Sequence, residues 1–219
     1  MPFVWDDNVK DFIIRSINQN PEISAKDLSR KIVMEAERND GMTLKDDTSC
    51  CVMYLRKPRN LLICTGPPYD EANDSYLSDY VTGFQGKKII CGGTTAQIIS
   101  RETGREITID MDVFDKGLPP VSKMDGIDLI TEGILTLSKV ERVLSEEEPE
   151  IHKGNGPADM ILKLLANSDK IIFMVGTRIN TAHQDPTLPV ELEIRRNVVK
   201  KIKQLLETKW LKDVDINYI

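Results

Sequence analysis

The chain has 219 residues, of which 40% are hydrophobic and 29% are charged, and this composition excludes a disordered or low-complexity protein. Its 29 basic and 35 acidic residues give a formal net charge of −6, which argues against a nucleic-acid partner, because cationic side chains supply most of that affinity. No apolar run approaches the ~20 residues that span a bilayer, and the N-terminus lacks the basic segment followed by an apolar segment that is typical of a secretory signal. We therefore expect a cytoplasmic protein with no membrane partner.

Two amphipathic helices are predicted at the start of the chain. The first begins at Asp6 or Asp7 and ends before Pro21, because the residue that precedes a proline avoids the helical region. The second has Ser24 as its N-cap, in a capping-box-like sequence with Asp27 three residues later. An Asn-Asp-Gly sequence at residues 39–41 ends the second helix.

A buried strand is predicted over residues 50–55, an apolar run without helix caps. It follows Lys45-Asp46-Asp47-Thr48-Ser49, in which two adjacent carboxylates offer the hard oxygen ligands that Mg²⁺ and Mn²⁺ prefer, although turn chemistry alone also explains them. The polar turn at residues 56–60 contains Pro58 and is the best candidate for a domain boundary. We expect one domain over residues 1–58 and a second over residues 59–219.

Strands and helices alternate beyond this turn. The predicted strands cover residues 61–64, 88–91, 106–112, 127–130, 170–175 and 214–219, and the main helices between them cover residues 69–82, 157–166 and 189–209. This alternation predicts an α/β fold in which a parallel or mixed sheet is covered by helices on both faces.

The four cysteines each lie in an apolar stretch and form no C-x-x-C pair. We therefore predict that Cys50, Cys51, Cys64 and Cys91 are small buried hydrophobes. A disulfide framework and a thiolate zinc site are both disfavoured by this spacing.

Four of the predicted strands end in turns of small or hydroxyl-bearing residues. These turns are Thr65-Gly66, Gly92-Gly93-Thr94-Thr95, Thr131-Glu132-Gly133 and Gly176-Thr177. Ligands of open α/β sheets bind beyond the carboxyl ends of the strands, where free N–H groups of a helix start can receive an anion. We expect a small anionic or phosphorylated ligand at this edge, although strand–helix turns use glycine for structural reasons as well. The absence of a G-x-G-x-x-G sequence and of a P-loop lysine disfavours dinucleotide and Walker-type sites.

Two other groups of polar residues have structural and functional interpretations. His183 and Asp185 are close in sequence, in a proline-flanked loop. They are interpreted either as a hydrogen-bonded pair that stabilises the loop or as part of an acid–base or metal site. The basic cluster on the last helix, which comprises Arg195, Arg196, Lys200, Lys201 and Lys203, is interpreted as a solvated helix face.

Several stretches together resemble a known family. Residues 20–28 and 45–49, followed by the apolar run, resemble the end of the catalytic domain of type 2C metal-dependent serine/threonine phosphatases, in the bacterial stage II sporulation protein E-like branch. The stretches at residues 92–96, 125–133 and 182–186 are similar to the C-terminal extension that some members carry.

The resemblance implies roles for the acidic motif. Asp46 would be a ligand to one Mn²⁺ or Mg²⁺ of a two-metal centre, Asp47 would occupy the family's Asn or Asp position, and Ser49 its Ser or Thr position. The two ions would activate a water to attack a phosphoserine or phosphothreonine. The family's other aspartates lie in upstream Asp-Gly motifs, and this chain has no suitable one before Asp46. We therefore expect this chain alone to have no tightly bound metal and no phosphatase activity. Its expected partner is the missing N-terminal half of the phosphatase.

Three functions remain open on these grounds. The favoured one is the regulatory or ligand-sensing C-terminal part of such a phosphatase. The second is a self-standing enzyme for a small anionic substrate, with Glu132, His183 and Asp185 as acid–base groups. The third is a scaffold domain that forms a homodimer and has no ligand.

Overall fold

The computed structural model describes residues 5–21, 23–41, 47–111, 118–147, 154–178 and 188–219. The chain divides into two compact units, residues 1–57 and residues 58–219. We call them the helical unit and the α/β unit. No helix in the described parts of the chain is both long enough and apolar enough to cross a membrane.

The helical unit contains two helices, α1 (Trp5–Gln19) and α2 (Ala25–Asn39). Ser24 caps α2 as predicted: its hydroxyl accepts a hydrogen bond from the Asp27 amide at 3.0 Å and donates one to the Asp27 carboxylate at 2.7 Å. Leu28 and Ala36 are buried on one side of α2, as helical spacing predicts.

The prediction of a buried strand over residues 50–55 is wrong. The structure has neither helix nor strand from residue 47 to residue 59, and Met53 and Leu55 are 82% and 86% exposed. The physical reason is the lack of a partner, since the described residues of the helical unit contain no other strand with which this run could pair. Cys51 is accordingly exposed and Cys50 only half-buried, against the prediction, whereas Cys64 and Cys91 are buried as predicted.

The α/β unit is built on a seven-stranded mixed sheet, which confirms the predicted α/β fold. Its strands are β1 (Asn60–Thr65), β2 (Lys87–Cys91), β3 (Thr108–Asp110), β4 (Val121–Met124), β5 (Ile127–Thr131), β6 (Lys170–Val175) and β7 (Asp213–Tyr218). They follow the order β3-β4-β5-β2-β1-β6-β7, and β4 runs antiparallel to both of its neighbours while the other pairs are parallel.

Strand β4 is absent from the elements predicted from the sequence. It forms a hairpin with β5 through Asp125-Gly126, and Gly126 has a positive φ of 73°. An Asp-Gly pair between apolar segments is a strong hairpin signal, and it should have predicted this strand.

Helices cover both faces of the sheet. The helices α3 (Asp74–Gly83) and α4 (Gly93–Thr103) contribute to one apolar cluster, and α5 (Ile134–Ser145), α6 (Pro157–Ala166) and α7 (Leu188–Trp210) contribute to another. Alternate residues of β1 enter the two clusters, with Leu61 and Ile63 in one and Leu62 and Cys64 in the other. Burial of both faces explains why β1 is a continuous apolar run.

The strand order reverses at β1. From β1 the chain adds β2 and later β5 on one side, then crosses to the other side for β6 and β7. The carboxyl ends of these five parallel strands meet at one edge, where the predicted ligand-binding turns lie.

Candidate ligand-binding cleft

A cleft of about 190 Å³ opens at the carboxyl ends of β1, β2 and β5. The turns after these strands line it through residues 65–67, 91–95 and 132–134, and α7 contributes Arg195. We call it the strand-end cleft. It brings together seven of the residues that the sequence predicted as ligand-binding, namely Thr65, Gly66, Gly92, Gly93, Thr94, Thr95 and Glu132.

Protein atoms fill the space between the turns after β1 and β6. The Gly176 amide donates to the Thr65 carbonyl at 2.9 Å, and the Arg178 amide donates to the Pro67 carbonyl at 3.2 Å. A Cβ atom on Gly176 would clash with the carbonyl oxygens of Gly66 and Pro67. The cleft therefore opens toward β2 and β5 rather than toward β6.

Three predicted site residues lie beside the cleft and support its turns. Gly176 permits the close approach of the two turns. The Thr177 hydroxyl donates to the carbonyl of Ile219 at 3.0 Å, and so fixes the turn after β6 to the end of the chain. Thr131 is buried, and its hydroxyl donates to the Glu132 carbonyl at 2.8 Å.

Helix α4 begins at the cleft without a side-chain cap. Its N-cap residue, Gly92, has a φ of 130°, and the first intrahelical bond runs from the Ala96 amide to the Gly92 carbonyl at 3.1 Å. The amides of residues 93–95 belong to the first turn, in which an α-helix has no intrahelical acceptors. A helix start of this kind attracts anions through its N–H groups and its dipole.

Two threonines that line the cleft have hydroxyls without a hydrogen-bond partner in the described parts of the chain. Thr65 and Thr95 are each 1% exposed, and the Oγ1 atoms of both are buried and unpaired. A Cβ atom on Gly92 would lie 3.6 Å from Thr95 Oγ1, which places this hydroxyl next to the start of α4. A buried polar group without a partner costs about 1–3 kcal/mol, so these hydroxyls call for an explanation.

Arg195 brings a full positive charge to the same cleft. It is half-buried, and its Nη1 donates to the Gly176 carbonyl across a long 3.4 Å. A Cβ atom on Gly66 would lie 2.6 Å from Nη1, and Gly66 has a positive φ of 80°, so both space and backbone conformation require glycine there.

The prediction of a solvated face is wrong for Arg195, which is half-buried and lines the cleft. Its neighbour Arg196 is exposed and stacks over the ring of Tyr218 at 5.4 Å. A signal was present, because apolar residues follow Arg195 at the i+3, i+4 and i+7 positions. The helical period puts these residues, Val198, Val199 and Ile202, on the same buried side of α7.

Glu132 adds a carboxylate to the cleft. It is half-buried, and its Oε2 accepts a hydrogen bond from the Leu135 amide at 3.1 Å, in the first turn of α5. Its Oε1 accepts no hydrogen bond from the described part of the protein. The cleft therefore combines cationic and N–H groups with one carboxylate oxygen that is available as an acceptor.

Cys91 also lines the cleft, but its thiol is not activated. Burial raises the pKa of Cys91 from 9.0 to about 12, and the nearby charge of Glu132 acts in the same direction. The Thr131 hydroxyl, 3.6 Å from the sulfur, opposes this shift only in part. Because the thiolate is the nucleophile, Cys91 is inert near neutral pH.

Five further site residues are predicted from the sequence, and the structure describes two of them. Asp46, His183 and Asp185 lie outside the described residues, and the metal role of Asp46 stays a prediction. Asp47 and Ser49 are exposed in the helical unit. No group of three or more His, Cys, Asp or Glu side chains that could hold a metal ion occurs within the described ranges.

Comparisons of the chain with protein-family models, with curated proteins and with solved structures found no match. The function is therefore inferred from the geometry of the cleft itself.

Proposed function

We propose that the α/β unit is a ligand-binding module and that the strand-end cleft holds the phosphate or carboxylate group of a small molecule. The observation that carries this proposal is the pair of buried, unpaired hydroxyls beside the uncapped start of α4. An anionic oxygen at the helix start would accept hydrogen bonds from the amides of residues 93–95. It would also accept from Thr65 and Thr95 once these side chains rotate about χ1 and bring their buried hydroxyls into the cleft. Arg195, which lies beside Gly66 in the same cleft, would add a charge-assisted bond.

The dimensions of the cleft favour a small ligand. Sites for drug-sized molecules have volumes of roughly 300–1,000 Å³. The strand-end cleft has about 190 Å³, which suits a metabolite with a short carbon chain better than a dinucleotide.

The described side chains favour binding over catalysis. Cys91 is a neutral thiol, and Glu132 already accepts a hydrogen bond from the α5 backbone. The alternative of a self-standing enzyme needs His183 and Asp185 as acid–base groups, and both lie outside the described residues. Binding requires only groups that the described cleft brings together.

The regulatory role rests on the resemblance of residues 20–28 and 45–49 to metal-dependent serine/threonine phosphatases. In this proposal the α/β unit senses its ligand in the cytoplasm on behalf of a phosphatase domain, and the chain alone has no phosphatase activity. An assay with Mn²⁺ and a phosphoserine peptide tests the second statement. Turnover that disappears in an Asp46→Asn variant would contradict it.

Thermal unfolding of the full chain tests the binding proposal. Inorganic phosphate should raise the melting temperature more than chloride at equal ionic strength, because a ligand that binds only the folded state stabilises it. Arg195→Gln should lose most of this shift, while Arg196→Gln, which changes the neighbouring and exposed arginine, should keep it.

A second pair of variants separates specific binding from the general effect of phosphate on protein surfaces. A Cβ atom at Gly93 meets no protein atom within 4 Å, and the same holds for Gly83 at the end of α3. Gly93→Ala should therefore fold normally and place a methyl group in the cleft, which weakens binding. Gly83→Ala should bind like the parent protein. Equal phosphate shifts in both variants and in Arg195→Gln would overturn the proposal.

A further inference from the structure

We infer that the strand-end cleft selects a phosphomonoester that carries a hydroxyl group close to its phosphate, and that Glu132 is the residue that recognises this hydroxyl. This inference rests on the proposed anion site and names the chemical class of its ligand. The observation behind it is that one carboxylate oxygen of Glu132, which lines this cleft, accepts no hydrogen bond from the described residues.

The position of Glu132 is fixed by the backbone. Its Oε2 accepts the Leu135 amide at 3.1 Å, which orients the side chain at the start of α5. Its Oε1 accepts nothing from the described protein atoms, and an ionised carboxylate can only accept hydrogen bonds. Because Glu132 is only half-buried, solvent can donate to this oxygen in the free protein, and a donor on a bound ligand would replace the solvent there.

The negative charge of Glu132 determines which ligand group can bind next to it. Glu132 repels a bare anion, so it weakens the binding of a phosphate that has no donor to present to it. A ligand with an adjacent hydroxyl turns the same carboxylate into an acceptor of a charge-assisted hydrogen bond. A single side chain thus disfavours inorganic phosphate and favours a hydroxylated ester.

Arg195 decides between the two kinds of donor that could face Glu132. An ammonium group on the ligand would form an ion pair with the carboxylate but would meet the positive charge of Arg195 in the same cleft. A neutral hydroxyl donates to Glu132 without that penalty. The cleft therefore matches a small phosphorylated alcohol better than a phosphorylated amine.

Titration calorimetry on the full chain with four probes tests this inference. The probes are inorganic phosphate, propyl phosphate, glycerol 3-phosphate and phosphoethanolamine. Glycerol 3-phosphate should bind at least about tenfold more tightly than propyl phosphate, as expected for one hydrogen bond to a charged group. Phosphoethanolamine should bind more weakly than glycerol 3-phosphate.

Two variants assign the preference to Glu132. Glu132→Gln keeps an oxygen that can accept the Leu135 amide but removes the negative charge. It should reduce the preference for glycerol 3-phosphate over propyl phosphate to less than about threefold and should tighten the binding of inorganic phosphate, because the repulsion is gone. Glu141→Gln is the matched control, since Glu141 lies on α5 outside the cleft and pairs with Lys201 at 3.9 Å. It should bind all four probes like the parent protein.

The outcomes distinguish failure of the inference from failure of the proposed function. If none of the four probes binds, the cleft holds no phosphate group, and this overturns the inference together with the phosphate form of the proposed function. If phosphate and its esters bind but glycerol 3-phosphate has no advantage over propyl phosphate, the anion site stands and the inference is overturned. A preference for phosphoethanolamine would overturn it in favour of an ammonium ligand. The comparison of probes on the unmodified chain remains decisive if Glu132→Gln does not fold.

Discussion

Two apolar runs of similar length lie a few residues apart in the chain, but only the second forms a buried strand. Residues 50–55 lie in the helical unit without helix or strand, and Leu55 is 86% exposed. Residues 61–65 form most of β1, an interior strand of the α/β unit, and Leu62 is 0% exposed. The second run has β2 and β6 as hydrogen-bonded neighbours and helices above and below it. An apolar run therefore indicates a buried strand only where the fold supplies neighbours on its edges and its faces.

The cysteines divide in the same way. Cys50 and Cys51 in the first run are half-buried and exposed, whereas Cys64 and Cys91 in the α/β unit are buried. Burial raises the pKa of both thiols of the α/β unit, with mutual repulsion as a smaller contribution for Cys64. The contrast shows how strongly the surroundings, rather than the residue type, set the chemistry of a cysteine.

The largest expected effect comes from the same substitution made in both runs. Leu62→Ala should lower the free energy of unfolding by about 2–5 kcal/mol, because it opens a cavity in a close-packed core. Leu55→Ala should change it by less than about 0.5 kcal/mol, because the side chain already contacts water. Urea titration followed by circular dichroism measures both. A loss above 2 kcal/mol for Leu55→Ala would show that residues 50–55 are buried in solution.

The next effect is a dependence of stability on alkaline pH. Above pH 9.0 the unfolded chain loses the Cys91 proton that the folded chain retains up to about pH 12. The contribution of this thiol to the free energy of unfolding is therefore fully present below pH 9. It falls by about 1.4 kcal/mol per pH unit as the pH rises toward 12. Cys91→Ala should reduce the slope of unfolding free energy against pH by that amount.

Cys51→Ala provides the control for this slope. Cys51 is exposed in the folded protein, so this variant removes a thiol without changing the buried core. Urea titrations between pH 8.5 and 10.5 give the slope for each variant. Parallel lines for the parent protein and Cys91→Ala would contradict the contribution of the buried thiol.

The smallest expected effect concerns the helical unit, whose second helix depends on a local cap. Ser24→Ala should cost about 1 kcal/mol, because the Asp27 amide loses its acceptor. Ser29→Ala removes a hydroxyl that donates to the Lys26 carbonyl within the same helix, and alanine compensates through its helix propensity. Helicity measured at 222 nm during thermal unfolding should fall at lower temperature for Ser24→Ala than for Ser29→Ala. Identical unfolding curves would show that the cap contributes nothing.

Local patterns predicted most of the fold. The Ser24 cap, the apolar run of residues 170–175 and the helical spacing in residues 157–166 each carry their signal within a few neighbouring residues. The missed strand β4 has only four residues, too few for alternation to distinguish it from a loop, and the Asp125-Gly126 turn was its only clear mark.

The candidate site was predictable to the extent that it consists of strand ends. Parallel strands place their carboxyl ends at one edge, so the Gly92–Thr95 turn could be assigned to a cleft from the pattern alone. Arg195 could not be assigned in this way, because it lies more than 100 residues further along the chain, on a helix that packs against the sheet. The spacing of Val198, Val199 and Ile202 indicates that Arg195 lies on the buried side of α7. It does not indicate that α7 approaches Gly66, because that contact joins distant parts of the chain.

The amino-acid sequence by itself determined the alternation of strands and helices, and with it the layered α/β architecture, because hydrophobic periodicity and turn chemistry act over short distances. Tertiary structure alone decided which apolar run is buried, which arginine enters the cleft and which hydroxyls lack partners. The physical reason is that burial and hydrogen bonding are properties of neighbours in space. In a sheet whose order reverses at β1, those neighbours come from distant parts of the chain.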